Sequence, residues 1–111
     1  MNTITNEYMK QKIAETKNYC IVILKSGHNI NMPGVKDIIW EHGRRNFSLK
    51  AEGLLPIVCP VNDGTEVNGI GIFNASVDEV KKIMDDDPGV KQGVFIYEIH
   101  PCRSFPGASL P

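Results

Sequence analysis

The chain has 111 residues, 41% of them hydrophobic, which is the size and composition of one globular domain with a real core. Its 12 basic and 13 acidic residues leave a net charge of −1, so nothing in the charge balance points to nucleic acid or an anionic membrane surface. Apolar runs such as residues 20–24 and 54–59 are strand-sized and too short to span a bilayer, and residues 1–6 lack the basic-then-apolar pattern of a secretory signal, so a cytoplasmic protein is expected.

Residues 1–18 read as an appended helix. Thr3 or Thr5 could cap it, Tyr8, Met9 and Ile13 give a weak apolar stripe, and Asn18 ends it. Such a short helix must dock on something or fray. Residues 19–25 follow as a β-branched run expected to be a central strand. Residues 26–31 form a polar loop.

The long first helix of the core occupies residues 32–53. Asn31 is its candidate cap, Pro33 suits its first turn, and Gly53 suits a left-handed stop. Val35, Ile38, Ile39, His42, Asn46 and Leu49 recur at helical spacing on one stripe. His42 therefore sits where an apolar side chain belongs, and an enclosed imidazole needs a polar partner.

Residues 54–61 read as a second strand, and Pro56 and Pro60 assign it to an edge or a bulge. Asn62, Asp63 and Gly64 make a turn. Residues 67–74 are a third strand whose Gly69 and Gly71 let a backbone or a ligand come close. Ser76 and Glu79 form a capping box that opens another helix with Val77, Val80, Ile83 and Met84 inward, and Asp87-Pro88-Gly89 ends it. Residues 93–100 are the fourth strand, before a Pro-containing tail.

After the N-terminal helix the order is β-α-β-β-α-β. That order predicts an α+β, ferredoxin-like antiparallel sheet with two helices on one face. The strands are apolar on both sides, so the bare face should meet a second subunit, most simply in a homodimer that could assemble further.

His42 midway along the first core helix, Gly53 ending it, Ser76 capping the next, and Asp87-Pro88 leading through Gly93 to the last strand together resemble the YCII-related (YciI-like) domain family. The resemblance covers residues 19–101, flanked by an extension (1–18) and a tail (102–111). It implies the dimeric α/β-barrel superfamily, which includes muconolactone isomerases and cofactor-free monooxygenases. It also implies a cleft between sheet and helix, lined by a His–Asp pair proposed to be catalytic. One branch of the family removes chloride from a hydroxylated aromatic ring. This sequence departs from the family at two places. Cys59-Pro60 stands where Gly-Pro is frequent, and Trp40 and Glu41 replace an arginine before the histidine, with Arg44 and Arg45 after it.

The residues alone leave alternatives open. His42 is either a general acid or base oriented by Asp87, or a structural histidine tying a helix to a turn. Asp87 could simply cap the Pro88-Gly89 turn. Asp85 and Asp86 read as a solvated helix end. Together with His42 and Asp87 they are too sparse a ligand set for a metal. Arg45, Asn46 and Cys59 are the candidate substrate-binding residues, because a guanidinium grips carboxylates, Asn46 shares the histidine's stripe, and Cys59, as the family resemblance implies, puts a larger side chain where a glycine is frequent. Arg44 and Arg45 also fit a wet helix face. Cys20 and Cys59 are expected as small core hydrophobes, and the three cysteines form no CxxC pair. His28 and His100 should be exposed. Trp40 should pack on the tail or the N-terminal helix. Ser26, Ser48 and the three cysteines have no histidine neighbour at a spacing that suggests nucleophilic catalysis.

The reading is a small enzyme, needing no cofactor, that moves a proton on, or eliminates a group from, a cyclic or aromatic metabolite through His42 and Asp87. The alternative is a non-catalytic binding or interaction module with the same fold.

Overall fold

A computed structural model describes residues 2–111. The elements in chain order are α1 (Asn6–Ala14), β1 (Lys17–Ser26), α2 (Val35–Ala51), β2 (Ile57–Pro60), β3 (Val67–Phe73), α3 (Val77–Asp85), α4 (Pro88–Lys91) and β4 (Phe95–Ser104). The strands form one antiparallel sheet in the order β2-β3-β1-β4. That is the α+β, ferredoxin-like arrangement. No helix among the described residues is long and apolar enough to cross a membrane.

β1 is central because its branched side chains pair on both sides. Val22 lies opposite Gly71 of β3 and Ile99 of β4. Cys20, Val22 and Leu24 alternate onto one face and are buried with Leu49 of α2, Val80 and Met84 of α3, and Phe73 and Phe95 of the neighbouring strands. β2 lies at the edge, where Pro60 interrupts no ladder. The opposite face carries Ile21, Ile23, Ile57, Ile70, Ile72 and Ile96 in register, with Ile70 and Ile96 exposed.

Helix boundaries follow local chemistry. Ser76 and Glu79 complete a capping box at α3. α2 stops in a paired closing motif: the Gly53 N–H donates to the Lys50 carbonyl and the Leu54 N–H to Leu49, both at 3.0 Å. The start of α2 corrects the sequence reading. Neither Asn31 nor Pro33 begins it; Gly34 is its N-cap at φ 78°, a left-handed residue that fixes the entry without a side-chain cap. Nor does Asp87 merely end α3. It is the N-cap of the four-residue α4, with Pro88 in the first turn where a missing N–H costs nothing.

Thr5 caps α1, which ends at Ala14 rather than running on to Asn18, and no residue of α1 is buried. Trp40 does not pack on α1 or the tail and is 70% exposed, because two residues of helix turn it to the side of α2 away from His42. Cys20 is buried as expected, whereas Cys59 is exposed on the edge strand. β4 runs on to Ser104, since its partner β1 already begins at Lys17, which pairs with Ser104.

Candidate functional site

α2 presents His42, Asn46 and Lys50 at successive four-residue steps toward the sheet. His42 is 9% exposed and Asp87 only 1%. The imidazole Nδ1 stands 2.8 Å from Asp87 Oδ1. A carboxylate only accepts, so Nδ1–H donates. The other oxygen, Oδ2, accepts from the backbone N–H groups of Gly89 (2.9 Å) and Val90 (3.3 Å). Asp87 thus caps α4 and holds the imidazole at once, one carboxylate oxygen to each.

Gly89 makes that double use possible. A Cβ there would lie 2.5 Å from Phe95 Cδ2 and 3.0 Å from Asp87 Oδ2. Phe95 in turn packs its ring against His42, centroids 4.8 Å apart and planes tilted by 53°. Burial pushes the Asp87 carboxyl up, but the hydrogen bond and charge of His42, with the two backbone N–H groups, hold it below the usual carboxylate range. It is ionised at neutral pH.

In the neutral imidazole the second nitrogen, Nε2, carries the lone pair and accepts from Asn46 Nδ2 at 3.2 Å. Asn46 and His42 both line a cavity of about 440 Å³ between α2 and the sheet, while Asp87 does not. The Nε2 edge is therefore the one that reaches the cavity. Val22 and Phe73 lie on its sheet side, and Val58 and Cys59 bound it at the edge strand. Gly69 and Gly71 line it too, so the glycines of β3 leave room there, while Gly71 also meets Leu55 closely.

Of the three candidate binding residues, Asn46 and Cys59 line the cavity and Arg45 does not. Arg45 turns toward α3. Its Nη1 donates to the Ile83 carbonyl at 2.6 Å and stands 3.7 Å from Asp87 Oδ1. It braces the Asp87 end of the site from the α3 side. Arg44 lies on the wet face and pairs with Glu41 at 3.1 Å.

Asp85 and Asp86 are more than a solvated helix end. Asp85 accepts from the Tyr97 hydroxyl, and burial together with that bond pushes the phenol up to about 12. Asp86 pairs with Lys91 at 2.7 Å, and Lys91 holds its carboxyl below the ordinary value. These partners offset the unfavourable charge at the C-terminus of α3. Sequence spacing could not reveal them, because Tyr97 lies on β4 and Lys91 on the unforeseen α4. His28 and His100 are exposed, and His100 Nε2 stands 3.2 Å from Glu98. Among the described residues no three His, Cys, Asp or Glu side chains gather into a metal-ligating group.

The chain matches no protein-family model and no curated protein. It is similar to a solved structure, the 5-chloro-2-hydroxyhydroquinone dehydrochlorinase of Burkholderia phenoliruptrix AC1100 in complex with 2,5-dihydroxybenzoquinone. The two are 18% identical with a TM-score of 0.48, over 73% of this chain and 90% of the other. The fold stands on the strand order and helix placement described above.

Proposed function

We propose that the protein is a small cytoplasmic enzyme of the YCII-related, dimeric α/β-barrel kind that transfers a proton on a cyclic or aromatic metabolite without a cofactor. The single observation that carries this reading is the 2.8 Å contact between His42 and a buried Asp87 at the wall of a cavity. An ionised carboxylate behind Nδ1 fixes the tautomer, leaves Nε2 basic and stabilises the imidazolium that forms.

In the proposed cycle a substrate hydroxyl replaces the Asn46 amide at Nε2. The O–H bond breaks, the proton passes to Nε2, and the electron pair stays on the substrate oxygen. The released amide of Asn46 then donates to that oxygen. The pair either draws the proton back at another atom, which is isomerisation, or expels a leaving group with its bonding electrons, which is elimination, and the imidazolium then gives its proton to the departing group or to water. Asp87 acts as a positioning residue and His42 as the catalytic acid and base. Cys59 would shape the pocket at its edge.

The bare isoleucine face of the sheet supports a homodimer, the pairing through which such sheets close into a barrel. Residues 1–18 and 102–111 we read as an extension and a tail around the single domain of residues 19–101.

One observation favours a second reading. The Asn46 amide already satisfies Nε2, which suits a site that binds a metabolite without turning it over. Incubating the protein with a library of cyclic and aromatic metabolites and following mass separates the two. Conversion by the wild type that falls on the order of 10²–10⁴-fold in His42→Gln supports catalysis. Conversion that persists undiminished in both His42→Gln and Asp87→Asn removes the proposed roles, and binding without any conversion supports the second reading.

A further inference from the structure

The cavity has a chemical polarity that the His–Asp pair does not explain. Its lining is apolar on the sheet side, through Val22, Leu24 and Phe73, and contains a single charged side chain, Lys50. None of the ion pairs among the described residues includes Lys50. Other surface lysines are also unpaired, but they do not line this cavity. Lys50 stands two four-residue steps beyond His42 on α2, about 12 Å along the helix axis at 1.5 Å per residue, with Asn46 midway. One helix wall thus offers, in order, a proton acceptor, an amide donor and, where the wall meets solvent, an exposed cation.

We infer that the ligand of this cavity is an apolar, elongated molecule carrying one carboxylate, which Lys50 binds while the opposite end meets His42. The inference rests on the proposed function for what happens at the His42 end and goes beyond it in naming the charge of the ligand. An anion is favoured because the cavity offers it an unpaired cation with no competing carboxylate among the lining residues. A second charge, or a cationic group, would find no partner there. Lys50 also lies in the last turn of α2, where any cation suits the helix dipole. That role alone would leave ligand choice untouched, and the experiment separates the two.

Three fluorescent probes suffice: 6-hydroxy-2-naphthoate, with hydroxyl and carboxylate at opposite ends of a rigid body, 2-naphthol, which lacks the carboxylate, and 2-naphthoate, which lacks the hydroxyl. Binding is titrated at neutral pH for the wild type, Lys50→Met, Lys50→Arg and Lys36→Met, the last an exposed lysine of α2 away from the cavity. The expected result is on the order of tenfold tighter binding of 6-hydroxy-2-naphthoate than of 2-naphthol, lost in Lys50→Met and kept in the other two variants. An undiminished carboxylate preference in Lys50→Met, equal binding of the two probes by the wild type, or no binding of any probe overturns the inference. The His42 reading is tested separately by the hydroxyl. If the wild type binds 2-naphthoate as tightly as 6-hydroxy-2-naphthoate, and His42→Gln changes neither, the proton-transfer reading fails while the Lys50 inference stands.

Discussion

Asp87 divides its two carboxylate oxygens between a helix cap and an imidazole, and this division makes its variants informative. Asp87→Asn keeps an N-cap but loses the charge, and should cost about 1–3 kcal/mol in urea unfolding at neutral pH. Asp87→Ala removes the cap as well and should cost about 1 kcal/mol more. The carboxyl is held below its ordinary value of 3.8, so the native chain binds fewer protons at this site than the unfolded chain does. Its stabilisation is complete above that value and is lost as the pH falls through the lower native one. The difference between wild type and Asp87→Asn should therefore be full at neutral pH and shrink in strong acid. At this scale the sequence showed that His42 needed a partner, because a polar residue on an apolar stripe is costly unless satisfied. Its partner was visible only as an Asp-Pro pair in a familiar order. The sequence left the direction of Arg45 open, because a position three residues past His42 lies at the border between cavity and α3, and only the packing of α3 decides which side it joins.

At the scale of elements, boundaries with strong local chemistry were legible and those set by glycine or by tertiary contact were not. The capping box of α3, the prolines of the edge strand and the branched run of β1 all stood in the sequence. The start of α2 did not, because Asn31 and Pro33 satisfy a cap pattern while the left-handed Gly34 sets the true entry. α4 was hidden because Pro88 stops one helix and starts another. That small helix matters, since its first turn supplies the N–H groups that hold Asp87. Gly89→Ala should therefore destabilise the fold by about 1–3 kcal/mol, as its methyl would drive the Phe95 ring off His42. Thermal unfolding measures the loss, and an unchanged melting temperature would mean that the ring relaxes freely. Ser76→Ala, which removes the cap of α3 at a residue outside the cavity lining, should cost about 1 kcal/mol and leave ligand binding intact.

Across the whole molecule, the strand order was predictable from the alternation of elements, whereas the surfaces left bare were only partly so. The apolar face of the sheet was foreseen. The exposed Trp40, Phe47, Tyr8 and Ile13 were not, because amphipathic spacing tells which side of a helix is apolar but not whether anything covers it. The proposed homodimer is tested on Ile96, which is 54% exposed in the single chain. Ile96→Lys should leave thermal stability at high dilution nearly unchanged while shifting the mass by light scattering from dimer to monomer. A wild type that is monomeric at high concentration would remove the dimer.

The most direct test of proton transfer at His42 is ¹⁵N NMR of its ring nitrogens at neutral pH, alone and saturated with 6-hydroxy-2-naphthoate. Nδ1 should carry the proton and Nε2 the lone pair in the free protein, with Nε2 moving toward the protonated position when the hydroxyl arrives. A proton on Nε2 with Nδ1 bare, or ring nitrogens indifferent to the bound hydroxyl, would contradict it.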